Sequence, residues 1–272
     1  KNKNLPFDKI SNILTLRYNP NNQSNLKKIN WKDYLPKKTA NSILIKNLLQ
    51  KSLKKNLISK SNLSVALSGG VDSTLLLSLT KEIFPDLPIT AITITFPYSE
   101  DESKSASNIA QNFDIDHKII HVDNFLKELP AAIGILKEPY YDVMNWYYLV
   151  KNSKSISNSL LTGDGADEIF GGYTFRYSKF LNSVNDNSSP IEKIKTYLQC
   201  HERDWVPDQE NLFGKKSEFS WNQINDILKP FFDNPLSTLD QLFLADFNGK
   251  LKNNFIPNYE KFYNFFKISS IS

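Results

Sequence analysis

The residues with the clearest chemical potential lie in the segment VALSGGVDST, residues 65–74. A short apolar run there leads into Ser68, the pair Gly69–Gly70, Asp72 and Ser73. Glycines let a backbone turn tightly and approach a ligand closely, and the N–H groups at the start of a helix favour an anion. The segment therefore predicts a phosphate-binding turn between a buried strand and a buried helix. The alternative is a tight turn whose serines cap the helix.

This turn differs from the G-x-x-x-x-G-K-[ST] loop of common nucleoside triphosphatases, because it is shorter and no lysine follows its glycines. Asp72 stands where that lysine charge would be useful. A carboxylate beside a phosphate is favourable when it holds Mg²⁺. We therefore expect the site to need a magnesium ion.

A second segment, LLTGDGADEIFGGY at residues 160–173, carries four of the nine glycines of the chain. It also carries Asp164, Asp167 and Glu168. Three acids crowded at a strand end repel one another unless a cation or a substrate proton is shared among them. The segment predicts a second part of the same site. The alternative, which applies best to Glu168, is an acidic loop that caps the next helix.

The elements that would position these segments alternate between strands and helices. Apolar and β-branched runs predict strands at 63–67, 89–96, 117–122 and 159–163. Helical spacing predicts helices at 73–84, 101–113, 125–136 and 146–152, and later at 191–200, 221–232 and 238–247. This alternation is typical of α/β proteins with a parallel sheet. We expect an irregular lead-in over 1–38 and one domain over 39–272, with an α/β core at about 61–180 and a helical extension over 181–272.

Composition excludes several classes of protein. The chain has 272 residues, a formal net charge of +4, one cysteine and three histidines. A disulfide framework and a Cys- or His-rich metal centre are therefore excluded, and Cys200 is expected to be a packed core thiol. The scattered lysines indicate a solvated surface, and the scarcity of arginine argues against a nucleic-acid partner. The sequence predicts no membrane span and no secretory signal, so we expect a cytoplasmic protein.

The two glycine-rich segments also carry a family resemblance. SGGVDS after a buried strand resembles the pyrophosphate-binding loop of the ATP pyrophosphatases, the adenine nucleotide alpha hydrolase-like superfamily. GDGADEIFGGY resembles the signature of the synthetase domain of asparagine synthetases, which β-lactam synthetases share. The resemblance implies an α/β/α sandwich with a parallel sheet and a C-terminal helical extension, and ATP and Mg²⁺ as cofactors.

The resemblance also assigns roles to individual residues. Asp72 and Asp167 match Mg²⁺ ligands, and Asp164 stands where many members have a catalytic glutamate. Lys261 is the expected lysine for the pyrophosphate and Lys250 is its alternative, although both could be surface lysines. The positions that match ATP-binding residues are Leu67, Ser68, Gly69, Gly70, Asp72, Ser73, Ile94, Thr162 and Gly163.

The implied reaction has two steps. A carboxylate, that of the aspartate side chain in asparagine synthetase, attacks the α-phosphorus of ATP and releases pyrophosphate, and ammonia then displaces AMP. The family segment that matches residues 138–150 is longer, so another carboxylic acid is an alternative acceptor. Other possibilities are a β-lactam synthetase-like or tRNA-modifying adenylating enzyme, or a non-catalytic nucleotide-binding relative.

The two ends of the chain depart from the family pattern. No cysteine precedes Cys200, so the nucleophile of the N-terminal glutaminase domain is not in this sequence. We therefore expect free ammonia, or a separate glutaminase domain or subunit, as the nitrogen source. Residues 255–272 end before the family's next motif, which predicts a shortened homologue or a fragment.

Overall fold

The computed structural model describes residues 7–35, 40–97, 101–139, 143–200 and 219–271, and only the backbone of residues 7 and 8. The chain divides into two compact units. The sheet unit comprises Lys38–Asp164 and Asn258–Ser272, and the helical unit comprises Lys1–Lys37 and Gly165–Pro257. The chain leaves the sheet unit within the second glycine-rich segment, after Asp164, and returns to it at Asn258.

Parallel strands form the core of the sheet unit. The described residues contain five, in the order β3-β2-β1-β4-β5. They are β1 (Leu63–Ala66), β2 (Ile89–Thr95), β3 (Asp116–His121), β4 (Ser159–Leu161) and β5 (Ser269–Ile271). Val65 at the centre pairs with Ala91 of β2 on one side and with Leu161 of β4 on the other. The predicted parallel α/β class is confirmed, with helices on both sides of the sheet.

The strand β5 was not predicted. The sequence indicated a helical extension up to residue 272, but Ser269–Ile271 pairs in parallel with β4 at the edge of the sheet. Its sequence, Ser-Ser-Ile, is short and mostly polar, so it carries no alternating apolar pattern. Only Ile271 is buried, against the other apolar side chains of the sheet unit.

The helices of the sheet unit include counterparts of the four predicted at 73–84, 101–113, 125–136 and 146–152, with small shifts of their ends. They are α3 (Ser42–Leu57), α4 (Val71–Ile83), α5 (Ser103–Asn112), α6 (Leu129–Leu136), α7 (Met144–Ser153) and most of α13 (Ile256–Phe266). A short 3₁₀ turn, Phe125–Lys127, precedes α6, whose second residue is Pro130. Proline is tolerated in a first helical turn because its missing N–H has no intrahelical acceptor there. The predicted helix over 125–136 is therefore two elements.

The helical unit contains the remaining helices. They are α1 (Phe7–Leu16), α2 (Trp31–Tyr34), α8 (Ala166–Phe170), α9 (Thr174–Ser183), α10 (Pro190–Gln199), α11 (Trp221–Phe232), α12 (Thr238–Asp246) and a π-helical stretch, Phe247–Phe255. Helix α1 lies where an irregular lead-in was expected. Ile13 and Leu16, three positions apart, are buried on one face of it, a signal that the surrounding polar residues obscured.

The core of the helical unit is aromatic and aliphatic. Phe180, Tyr197, Leu228 and Phe232 are among its most buried members. Cys200 is buried in the same core, as predicted. Among the described residues, no helix is both long and apolar enough to cross a membrane.

Candidate functional site

The first glycine-rich segment forms the connection from β1 to α4. Leu67 extends the pairing of β1, since its N–H donates to the carbonyl of Ile92 at 3.0 Å. Gly69 follows with φ +79°, a left-handed conformation that favours glycine. A Cβ at Gly69 would lie 2.7 Å from the Oγ of Ser105 in α5. The backbone of the loop therefore needs glycine at this position for both its conformation and its space.

Hydroxyl groups close this loop onto the first turn of α4. The N–H of Ser68 donates to the Oγ of Ser73 at 3.4 Å, and the Oγ of Ser73 donates to the carbonyl of Gly70 at 3.4 Å. The N–H of Gly70 donates to the Oγ of Ser68, and Thr74 Oγ1 donates to the Gly70 carbonyl at 2.7 Å. Gly70 is the N-cap of α4 and has no side chain to accept from the first-turn N–H groups. A bound phosphate can supply that acceptor.

The start of the second segment lies against this loop. Thr162 and Gly163 follow β4, which neighbours β1 in the sheet. A Cβ at Gly163 would lie 3.1 Å from the Cβ of Asp72 and 3.3 Å from the N of Ser73. The backbone after β4 therefore contacts the first turn of α4 directly. The structure brings together the residues predicted at 67–73 and at 162–163.

This contact lies at a particular point of the sheet. The chain runs outward from β1 through β2 to β3 on one side, and β4 and β5 lie on the other side. The strand order thus reverses between β1 and β4. In open parallel sheets, ligands bind outside the carboxyl ends of the strands at such a switch point. Ile94, near the carboxyl end of β2, is half-buried beside the same edge.

Asp164 is the last residue of the sheet unit within the second segment, and its charge acts on Tyr263 of α13. Burial raises the pKa of the Tyr263 hydroxyl, and the charge of Asp164 raises it further. Tyr263 is 6% exposed. Sequence reasoning missed this residue, because nothing in the pattern of α13 distinguishes Tyr263 from the other aromatic residues around it.

Asp167 lies in the helical unit, at the start of α8. Its carbonyl accepts the N–H groups of Gly171 and Gly172, at 2.9 and 3.1 Å, and the hydroxyl of Tyr177 at 3.2 Å. A Cβ at Gly172 would overlap the Oδ1 of Asp167. The glycine pair of FGGY therefore leaves room for the Asp167 carboxylate and binds its backbone.

Glu168, next to Asp167, forms a buried cluster with Tyr173 and Lys250. The hydroxyl of Tyr173 donates to Glu168 Oε1 at 2.7 Å, and Lys250 Nζ lies 3.6 Å from the same oxygen. Lys250 Nζ also lies 3.9 Å from the centre of the Tyr173 ring. Burial raises the pKa of Glu168 and lowers the pKa of Lys250, while their mutual attraction opposes both shifts. Glu168 is thus a buried partner of Lys250, neither an exposed helix cap nor a solvated charge.

The two candidate lysines differ in their surroundings. Lys250 lies in the π-helical stretch of the helical unit, and 14% of its side chain is exposed. Lys261 lies in α13 of the sheet unit, and 31% of its side chain is exposed. Its ammonium lies 3.6 Å from Glu138 Oε1 and donates to Asn258 Oδ1 at 3.2 Å. Lys250 is thus largely buried, whereas Lys261 is partly exposed and held by two polar contacts.

The carboxylates offer few ligands for a metal ion on their own. Within the part of the chain that is described, no group of three or more His, Cys, Asp or Glu side chains could hold a metal ion. Mg²⁺ in nucleotide sites is bound through one or two carboxylates together with phosphate oxygens and water. Asp72, half-buried in the first turn of α4, fits such a role beside a phosphate loop. Asp72 belongs to the sheet unit and Asp167 to the helical unit, so their joint use as ligands stays a prediction.

The fold and the loop geometry define an α/β protein with a glycine turn at the switch point of its parallel sheet. Comparison with known proteins identifies the family. The family model for Asparagine synthase matches residues 44–242. This chain belongs to the asparagine synthase family. The match runs from α3 to the first half of α12 and includes both glycine-rich segments.

Individual relatives agree with this assignment. Asparagine synthetase [glutamine-hydrolyzing] 1 of Bacillus subtilis is 26% identical over 183 residues, which are 62% of this chain and 29% of that protein. Asparagine synthetase B [glutamine-hydrolyzing] of Escherichia coli is 27% identical over 180 residues, 58% of this chain and 31% of that one. The chain thus spans about 30% of the length of these curated relatives.

Solved structures give weaker similarities. An NMN synthetase from Francisella tularensis is 16% identical, with a TM-score of 0.40 and coverage of 80% of this chain and 98% of that one. An NH3-dependent NAD synthetase from Campylobacter jejuni is 17% identical, with a TM-score of 0.36 and coverage of 49% and 61%. At TM-scores below 0.5 these similarities do not establish a shared fold.

Proposed function

We propose that this chain is the ATP-using part of an asparagine-synthetase-like amidoligase. It would bind ATP at the β1–α4 loop, activate a carboxylate as its acyl adenylate with release of pyrophosphate, and pass the acyl group to ammonia or another amine. The observation that carries the proposal is the contact between the Ser68–Ser73 loop and Gly163 at the switch point of the sheet. Membership of the asparagine synthase family supports the class of reaction.

The geometry of the loop supports pyrophosphate as the group that it holds. The backbone N–H groups at the start of α4 point toward the turn, and the partial positive charge of a helix N-terminus favours an anion. The hydroxyls of Ser68 and Ser73 already order the turn, so little reorganisation would be needed on binding. Fixed donors at the leaving pyrophosphate stabilise the charge that develops when the α–β bond breaks. Mg²⁺, when bound, would neutralise phosphate charge, and Asp72 and Asp167 are the residues that we propose to hold it.

Each of the two steps forms one bond and breaks another. In the first, a carboxylate oxygen forms a bond to the α-phosphorus and the bond from that phosphorus to the bridging oxygen breaks. In the second, an amine attacks the acyl carbon, the bond to AMP breaks and the amine loses a proton. Asp164, beside the buried hydroxyl of Tyr263, is the proposed acceptor of that proton. Lys261 is the proposed cation for the pyrophosphate, and Lys250 is its alternative.

The proposal is tested by the products formed from ATP. The purified chain is incubated with ATP, MgCl₂ and ammonium, together with single carboxylic acids beginning with aspartate. AMP and pyrophosphate are then quantified. An acid labelled with ¹⁸O in its carboxylate should transfer one ¹⁸O atom to AMP, because the carboxylate oxygen stays on phosphorus when the amine attacks carbon. Formation of ADP and phosphate instead would refute adenylation.

The acid that supports product formation identifies the acceptor. Aspartate is the first candidate because the relatives named above are asparagine synthetases. Pyrophosphate release with another acid but not with aspartate would keep the adenylation step and replace the acceptor. If amide forms from glutamine only after a separate glutaminase is added, the nitrogen source lies outside this chain. Nucleotide binding without turnover for any acid would favour the non-catalytic alternative.

A matched pair of variants separates chemistry from folding. Asp72→Asn should abolish pyrophosphate release and leave the melting temperature within a few degrees, because a half-buried carboxylate in the first turn of a helix contributes little to the fold. Asp86→Asn is the control, since Asp86 is an exposed acid in the turn after the same helix. Full activity of Asp72→Asn would remove Asp72 from the proposed site.

A further inference from the structure

A chain of hydrogen bonds crosses three neighbouring strands just below the loop. Thr93 of β2 has its Oγ1 2.6 Å from the carbonyl oxygen of Leu67 and 2.8 Å from Nε2 of His117 in β3. The other ring nitrogen of His117, Nδ1, lies 3.0 Å from the Oγ of Ser107 in α5. Thr93 is 5% exposed. These hydrogen bonds therefore link α5 and β3 to Leu67, the last residue before the loop.

The donor and acceptor roles in this chain follow from elimination. A carbonyl oxygen only accepts, so the hydroxyl of Thr93 donates to Leu67. The Thr93 oxygen then has only lone pairs left, so Nε2 of His117 carries the proton and donates to it. Burial lowers the pKa of His117, which favours the neutral ring. In that ring Nδ1 accepts, and the hydroxyl of Ser107 donates to it.

These hydrogen bonds fix Leu67, the last residue before the loop. The N–H of Leu67 is bound by Ile92 and its carbonyl by Thr93, so both sides of the Leu67 backbone are fixed. The peptide plane that follows carries the N–H of Ser68, which donates to Ser73. Helix α5 contributes twice, because Ser107 ends the hydrogen-bonded chain and Ser105 lies against Gly69.

We propose that Thr93 and His117 are positioning residues for the nucleotide loop. They set the orientation of the Leu67–Ser68 peptide, and through it the direction of the first N–H groups that meet a phosphate. This inference rests on the proposed function of the loop, although the positioning itself can be measured without nucleotide. A second threonine–histidine pair on the same strands serves as a comparison for Thr93 and His117. Thr95 Oγ1 lies 2.8 Å from Nδ1 of His121, and this hydrogen bond is exposed.

The binding test compares threonine-to-valine changes at the two positions. Thr93→Val keeps the shape of the side chain and removes the hydroxyl, which leaves the Leu67 carbonyl without that donor. We expect the affinity for MgATP to fall roughly tenfold, the effect of one buried hydrogen bond lost at a site. Thr95→Val should bind like the wild type, and Thr93→Ser should restore most of the affinity. Equal affinity of Thr93→Val and the wild type would overturn the proposal.

Nuclear magnetic resonance supplies readouts that need no nucleotide. The chain has three histidines, so long-range ¹H–¹⁵N spectra of the rings can be assigned with a His117→Gln variant. His117 should be neutral at pH 7, with its proton on Nε2. The amide resonances of Ser68, Gly69 and Gly70 should shift in Thr93→Val and stay in place in Thr95→Val. A proton on Nδ1 of His117, or unmoved loop amides, would contradict the positioning role.

These readouts separate two kinds of failure. If the wild type does not bind MgATP while the ring and amide predictions hold, the proposed function fails and the positioning of the loop stands. If the wild type binds MgATP and Thr93→Val binds equally well, the proposed function stands and the positioning role fails.

Discussion

The geometry at Gly69 predicts how much stability the protein loses when alanine replaces this glycine. Gly69→Ala places a Cβ on a residue with φ +79°, at 2.7 Å from Ser105 Oγ and 2.8 Å from Ser105 Cβ. It would also lie 3.3 Å from the backbone N of Ala106. The side chain of Ser105 can rotate its hydroxyl away, but its Cβ and the backbone of Ala106 are fixed by helix α5. The substitution must therefore displace the loop, the helix or both.

The expected cost has two parts. The left-handed conformation costs a residue with a Cβ about 1–2 kcal/mol, and a forced contact in a packed site costs about 1–3 kcal/mol. Partial relaxation at Ser105 places the sum near 2–3 kcal/mol, which would lower the melting temperature by about 5–10 °C for a protein of this size. The displaced loop should also bind MgATP more weakly.

The assay is urea unfolding of a small set of variants. Gly134→Ala is the matched control, because a Cβ at Gly134 meets no atom within 4 Å and the residue lies inside α6. Since glycine is unfavourable inside a helix, this variant should gain about 0.5–1 kcal/mol. In a Ser105→Gly background, Gly69→Ala should cost only about 1–2 kcal/mol, because the contact is removed and the backbone conformation is not.

The result that would refute this reasoning is a neutral Gly69→Ala. A cost that is unchanged in the Ser105→Gly background would refute the steric part alone. A Gly134→Ala variant that loses as much stability as Gly69→Ala would show that the left-handed conformation and the contact with Ser105 are not the cause.

Other predictions concern the buried charges. Arg176 and Asp246 are 5% and 0% exposed and form hydrogen bonds at 3.2 and 3.3 Å. Arg176→Met should therefore lower the free energy of unfolding, measured in urea, by about 3–5 kcal/mol. The double variant with Arg176→Met and Asp246→Leu should recover part of that loss. Burial lowers the pKa of His117 below its ordinary 6.5, so the unfolded chain binds a proton more readily than the folded one. The free energy of unfolding should therefore fall as the pH drops below 6.5. In urea titrations at several pH values, His117→Gln should make this pH dependence weaker. Lys250→Met should destabilise the fold by about 3 kcal/mol or more, because it removes the cation beside the buried carboxylate of Glu168. Lys261→Met should lower pyrophosphate release and cost about 1–3 kcal/mol of unfolding free energy, because its partner Glu138 is buried. Full activity of Lys261→Met with a loss in Lys250→Met would move the proposed role to Lys250.

The sequence was informative where local chemistry decides the structure. The strand before Ser68, the turn at Gly69 and helix α4 follow from an apolar run, a glycine pair and helical spacing, which are all local signals. The alternation of strands and helices likewise predicts a parallel sheet, because parallel strands need a crossover between them. These features need no knowledge of distant contacts.

The features that the sequence did not predict depend on distant partners. Strand β5 has a weak local pattern and forms because β4 offers an open edge to Ser269–Ile271. The pKa of Tyr263 is raised by its burial in the fold and by the charge of Asp164, which lies about a hundred residues away in the sequence. Glu168 and Lys250 form a pair across many residues of chain, so their burial could not be read from either segment alone.

The order of the strands explains why two separate segments form one site. The connection from β1 to β2 carries α4 away from one side of β1, whereas β4 arrives on the opposite side of it. The carboxyl ends of β1 and β4 are therefore adjacent, and the segments that leave them must pass close to each other. Gly69 allows this close approach through its left-handed conformation. Gly163 allows it because the absence of a Cβ leaves space for Asp72 and Ser73. Contacts within the sheet unit therefore require both glycines, and the anion site that we propose there rests on this packing as well as on the family.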